Sequence, residues 1–127
     1  MFDFKKLFSS FKHAIHGLIY LLRYEQNFKI HLLFGITALA LGLVLKIDYY
    51  EFLIILIIIA FVAMAEIVNT VLENILDVLH PDYHNKIKII KDATAGVVLF
   101  ASAISVIIGV IIFGPKIIYL ADKFFNL

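Results

Sequence analysis

Long apolar runs separated by short polar breaks define this chain. Ile30–Leu45 is apolar apart from His31 and Thr37, Phe52–Ala65 carries no charge, and a third apolar run extends from about Asp92 to Phe113. A helix rises about 1.5 Å per residue, so about 20 residues cross a hydrocarbon core of about 30 Å. With flanking turns the pattern predicts three spans, at about 29–47, 49–78 and 92–113. Ahead of them Phe4, Leu7, Phe8, Phe11, Ile15, Leu18, Ile19 and Leu22 recur at helical spacing, with Lys5, Lys6, Lys12 and Arg23 between. That is an amphipathic helix with a basic face over residues 1–29, suited to the membrane interface. Pro81 disfavours helix at the residue before it, which ends the second helix before His80-Pro81. Gly114-Pro115 stops the third, leaving residues 114–127 as a short amphipathic tail. The predicted fold is an all-α membrane protein: one domain over residues 1–127, with three transmembrane helices plus an N-terminal amphipathic surface helix.

Small residues refine the packing. Gly35, Ala38 and Gly42 give the first span a face for close helix approach, and Ala93, Ala95, Gly96, Ala101, Ser102, Ala103 and Ser105 predict that the third is buried among helices.

Composition agrees with a membrane domain. Of 127 residues 63% are apolar, against about half in soluble domains, and none is cysteine, which excludes disulfides, thiol chemistry and cysteine zinc sites. The net charge of +1 says little, but its placement sets an orientation. Lys5, Lys6, Lys12, Arg23 and Lys29 join Lys86, Lys88 and Lys91 on one side, against Lys46, Lys116 and Lys123 on the other. The positive-inside rule puts the N-terminus and the loop around residues 80–91 in the cytoplasm, with the chain in the inner (plasma) membrane.

The chemistry lies where the second span meets that side. Glu66, Asn69, Thr70, Glu73 and Asp77 fall on one face of a single helix, within roughly 100° of arc. An ionisable group at membrane depth costs about 2.5–3.5 kcal/mol on insertion scales. Helix–helix glue is served by Ser, Thr or Asn, whereas carboxylates suit a divalent cation or a proton. Glu25, Asp82 and Asp92 add acid on the same side, with Lys88 and Lys91 beside them, a mixture that fits Mg²⁺-bound phosphates. No P-loop and no protein-kinase signature is present, and nothing suggests nucleic acid. On residues alone three readings stand open: chemistry on Mg²⁺-bound phosphates, a proton- or ion-translocating subunit, and a non-catalytic membrane assembly subunit.

The polar residues also follow an ordered pattern: Phe11-x-x-Ala14-x-x-Gly17, Glu25-x-Asn27-x-Lys29-x-His31, Glu66-x-x-Asn69-Thr70-x-x-Glu73-x-x-x-Asp77, Tyr83-His84 and Lys91-Asp92-x-x-Ala95-Gly96. It resembles the small prokaryotic integral-membrane lipid kinases, the diacylglycerol kinase and undecaprenol kinase family, over about residues 5–113. The resemblance implies a homotrimer that transfers the γ-phosphoryl group of Mg²⁺-ATP to the hydroxyl of a membrane lipid alcohol. It implies Glu66 as general base with Asn69 beside it, Glu66 and Lys91 at the lipid substrate, and Glu25 and Glu73 as the Mg²⁺-ATP carboxylates. It implies Asp77, Asp82, Tyr83, His84, Lys91 and Asp92 around the nucleotide, with His13 and Lys6 near nucleotide-contact positions. The run from Glu25 to His31, taken with Asn69-Thr70, looks more like the undecaprenol kinase branch.

Overall fold

The computed structural model describes residues 3–79 and 85–125. They form four helices, α1 (Phe4–Tyr24), α2 (Gln26–Val44), α3 (Tyr49–Leu79) and α4 (Asn85–Phe125), with no strand among the described residues. The last three are each long and apolar enough to cross a membrane. α1 is the amphipathic helix ahead of them, opened by Asp3, whose side chain accepts the Lys6 N–H at 3.2 Å.

Residues 1–29 do not form one helix. The chain breaks at Glu25, whose backbone is extended (φ −96°, ψ 110°). Leu21 and Phe28 are buried on either side, so α1 and α2 meet at a packed corner. The orphan carbonyls of α1 find donors there. Glu25 N–H donates to Leu21 O at 2.9 Å, and the Lys29 ammonium reaches back to Arg23 O at 2.8 Å. Helical periodicity continues across the corner in the sequence, which hides the break.

The turn from α2 to α3 is tightly specified. Lys46 takes a left-handed conformation (φ 51°), its N–H donates to Leu43 O, and Ile47 N–H donates to Gly42 O. This is a Schellman ending with lysine where glycine is usual. Asp48 then caps α3: its carboxylate accepts from Tyr50 and Glu51 N–H at 2.8 and 2.9 Å, and Glu51 accepts from Asp48 N–H at 2.9 Å. The reciprocal pair is a capping box, legible as Asp48-x-x-Glu51.

α3 is the central helix, packed on α2 along one side and on α4 along the other, while α1 touches α2. The apolar core is Ile55 with Ile112 and Phe113, flanked by Ala38, Leu41 and Ile47. Gly35 and Gly42 do serve close approach. A Cβ on Gly35 would meet Ile59 at 2.9 Å, and one on Gly42 would meet Ile47 at 2.8 Å.

α4 corrects two expectations. It begins at Asn85, not near Asp92, because apolarity marks the membrane segment whereas Lys86, Lys88 and their isoleucine neighbours are equally helix-competent. It also runs through Gly114-Pro115 to Phe125. Proline removes one N–H from the ladder, but both flanks are held. Ile112 and Phe113 sit in the core on one side, and on the other the Lys116 ammonium bonds both Glu51 oxygens at 2.8 and 2.7 Å. The small-residue face is only partly buried within the chain: Ala101 is enclosed, Ser102 and Ser105 are half-buried, and Ala93, Ala95, Gly96 and Ala103 are exposed. A Cβ on Gly96 would meet open space.

Candidate active site

The polar stripe of α3 splits by depth. Glu66, Asn69 and Thr70 are buried (2, 6 and 4% exposed), Glu73 is half-buried and Asp77 is exposed. A carboxylate that deep needs partners, since an isolated charge away from water is costly. They come from the α1–α2 corner. The Asn27 side chain interacts with the Glu66 carboxylate, which also lies in the field of His31, Glu25 and Glu73.

Helix register explains the convergence. α2 and α3 run antiparallel, Gly35 facing Ile59 and Gly42 approaching Phe52. Seven residues along α3 from Ile59 is Glu66, and seven back along α2 from Gly35 is Phe28, so Glu66 lies level with the first turn of α2. Asn27 and His31 occupy that turn and the next, and Glu25 is the corner itself.

Further out, Asn69 Nδ2 donates to Glu73 Oε1 at 3.2 Å. That fixes the Asn69 amide but leaves its Oδ1 buried with no partner among the described residues. An orphan acceptor beside two carboxylates is suited to a donor brought by a ligand or a second chain. One helical turn beyond Glu73, Asp77 forms an ion pair with Lys91 of α4. Lys91 is additionally held in place by its helix, where Thr94 Oγ1 donates to its carbonyl at 2.9 Å.

Of the residues singled out from sequence, Glu25, Glu66, Asn69 and Glu73 are brought into one neighbourhood, and Asp77 with Lys91 forms a second, outer pair. Asp92 is exposed on α4 beside Lys91. His13 and Lys6 are exposed on α1, and His13 lies twelve residues before Glu25, about 18 Å of helix away. Asp82, Tyr83 and His84 lie outside the described residues. Two neighbours of Glu66 escape a periodicity reading. Asn27 and His31 lie on a different helix from the stripe, and only the antiparallel register joins them.

Among the described residues, no three histidine or acidic side chains form a cage for a metal ion. Mg²⁺ does not require one, because it commonly takes one or two carboxylates and fills its octahedron with phosphate oxygens and waters. Glu25 and Glu73, both half-buried and both in the field of Glu66, and the unpartnered Asn69 oxygen fit a magnesium ion that arrives on a nucleotide.

Residues 12–113 match the family described as Prokaryotic diacylglycerol kinase. The chain is 34% identical over 115 residues to the undecaprenol kinase of Bacillus subtilis (strain 168), covering 91% of this chain and 94% of that protein. It is 30% identical over 115 residues to the diacylglycerol kinase of Synechocystis sp., covering 90% of this chain and 66% of that protein.

Proposed function

The chain belongs to the prokaryotic diacylglycerol kinase family, and we propose on that footing that this lipid kinase moves the γ-phosphoryl group of Mg²⁺-ATP onto the hydroxyl of undecaprenol or diacylglycerol. The observation that carries the proposal is the meeting of Glu25, Asn27 and His31 with Glu66, Asn69 and Glu73 at one end of the bundle. A passive assembly subunit has no use for a buried carboxylate with two half-buried ones in its field, and an ion carrier does not account for the family.

Each residue takes a role its chemistry allows. Glu66, the deepest acid, receives the proton of the lipid hydroxyl as that oxygen attacks the γ-phosphorus and ADP departs. Asn27 orients the Glu66 carboxylate, and Asn69 ties Glu73 to the same helix face. Glu25 and Glu73 would hold a magnesium ion, which would supply charge neutralisation to the phosphates. Lys91 answers a phosphate oxygen, with Asp92, Asp82, Tyr83, His84 and, more remotely, His13 around the nucleotide. Glu73 lies seven residues beyond Glu66, about 10 Å along the helix. That separation lets the lipid head stay near hydrocarbon while the triphosphate stays in water. The nucleotide side faces the cytoplasm by the charge asymmetry of the loops, and three copies complete the assembly.

Glu66→Gln tests the base directly. A general base typically contributes 10²–10⁴-fold, so turnover should fall by about that factor while nucleotide binding, read by equilibrium dialysis, stays within about twofold. Near-normal turnover in the variant would remove Glu66 from the chemistry.

A further inference from the structure

α2 is the shortest of the three spanning helices, and it gauges the bilayer. Its 19 residues rise about 28 Å, close to the hydrocarbon thickness of about 30 Å. One end, at Gln26, adjoins the candidate site. The other, at Val44, therefore reaches the opposite boundary, where Lys46, Asp48, Tyr49 and Tyr50 are exposed. Tyrosines and lysines are suited to headgroup depth. The Glu51–Lys116 ion pair fixes the level of α4 against that end of the bundle.

α4 does not stop at that level. It continues nine residues past Lys116, about 14 Å. The added length walls one side of a recess of about 450 Å³, whose other wall is the end of α2. Every residue that α4 contributes, from Pro115 to Leu120, lies beyond residue 113, where the match to the family ends. The lining is mixed. Val44, Pro115 and Leu120 are apolar, whereas Lys46, Lys116 and Tyr119 carry hydrogen-bond donors. Lys116 commits two of its three ammonium hydrogens to the Glu51 oxygens, at 2.8 and 2.7 Å, so its charge is matched and its place is fixed. Lys46 is different. Its ammonium has no ion pair or hydrogen bond among the described residues. The nearest acid in sequence, Asp48, is engaged by the Tyr50 and Glu51 N–H groups. Lysine also occupies a left-handed position (φ 51°) that favours glycine, so a side chain is retained there at a conformational cost.

We propose that this recess binds the headgroup of an anionic phospholipid from the leaflet opposite the candidate active site. One unmatched positive charge complements the single negative charge of a phosphodiester. The phosphodiester oxygens accept from the Lys46 ammonium, from the remaining Lys116 hydrogen and from the Tyr119 hydroxyl. The first carbons of an acyl chain lie against Val44 and Leu120. A zwitterionic headgroup fits less well, because it brings its own cation beside two lysines. The bound lipid is not a substrate. Glu51 lies fifteen residues before Glu66, about 22 Å along α3, so no step of phosphoryl transfer reaches this end. The site needs only that the helices span a bilayer, and it stands whether or not the chain is a kinase.

The test places the full chain in phosphatidylcholine nanodiscs doped with phosphatidylglycerol that carries a photoreactive group near its headgroup. Crosslinks are mapped by mass spectrometry. They are expected on two segments: α1, whose basic face meets any anionic lipid, and residues 115–120 of α4. Lys46→Gly removes the ammonium and relieves the left-handed turn, so unfolding does not confound it. In that variant the yield on 115–120 should fall about fivefold, the effect of one lysine beside an anionic headgroup, while the yield on α1 stays constant. Lys46→Arg, which keeps the charge, should hold the wild-type yield within about twofold. Unlabelled phosphatidylglycerol should compete, and extra phosphatidylcholine or inorganic phosphate at equal concentration should not. An unchanged yield on 115–120 in Lys46→Gly overturns the site, as does an equal loss on both segments. Competition by inorganic phosphate as strong as by the lipid overturns the lipid in favour of free phosphate. The absence of wild-type crosslinks on 115–120, or a changed oligomeric mass in Lys46→Gly, overturns the proposal and gives the recess to a second copy.

Discussion

Asp77→Asn separates two roles for the outer acid by the sign of its effect. In the structure Asp77 is paired with Lys91, and the side chains are 63 and 31% exposed. An ion pair that open to water is worth about 0.2–1 kcal/mol, the lower end applying as salt rises. If Asp77 acts chiefly by holding the lysine, it competes with a nucleotide phosphate for the same ammonium. Removing its charge while keeping its shape then frees Lys91, and the KM for Mg²⁺-ATP should fall by about 1.4- to 5-fold at low salt. The gain should shrink toward nothing near 1 M salt, where screening reaches about 3 Å. Lys91→Met should weaken nucleotide binding, and in that background Asp77→Asn should do nothing further, the signature of two residues acting through one contact. The assay is initial rate against ATP at saturating lipid and fixed free Mg²⁺. A rise in KM for Asp77→Asn would refute the argument and make Asp77 itself a ligand of the magnesium nucleotide.

The helix ends and close approaches give predictions of stability, read by reversible unfolding in mixed detergent micelles. Lys46→Gly should stabilise the chain by about 0.5–1 kcal/mol relative to Lys46→Ala, because only glycine escapes the strain of the left-handed turn; a glycine variant less stable than the alanine one would contradict the Schellman ending. Gly35→Ala should destabilise by about 1–3 kcal/mol, since the new methyl meets Ile59, a stiff β-branched side chain, at 2.9 Å. Gly96→Ala should go the other way, gaining about 1 kcal/mol, because that glycine lies inside α4 and a Cβ there meets open space. Loss of stability there would contradict the continuous helix through that position.

The sequence by itself determined how many spans there are, which helix carries the acid, and which acid is deepest. Apolar run length against bilayer thickness and a 3.6-residue period are local properties, so Phe52–Ala65 and the stripe from Glu66 to Asp77 need no fold to be read. The same locality explains the failures. Glu25 breaks a continuous helical pattern because Leu21 and Phe28 both find burial around the corner, and Pro115 fails to break one because Lys116 is anchored by Glu51, 65 positions away. The composition of the site is likewise nonlocal. Asn27 and His31 reach the depth of Glu66 only through the antiparallel register of α2 on α3, which is set by Gly35 against Ile59. Periodicity assigns a residue to a face, but only packing between helices decides which faces meet and at what depth.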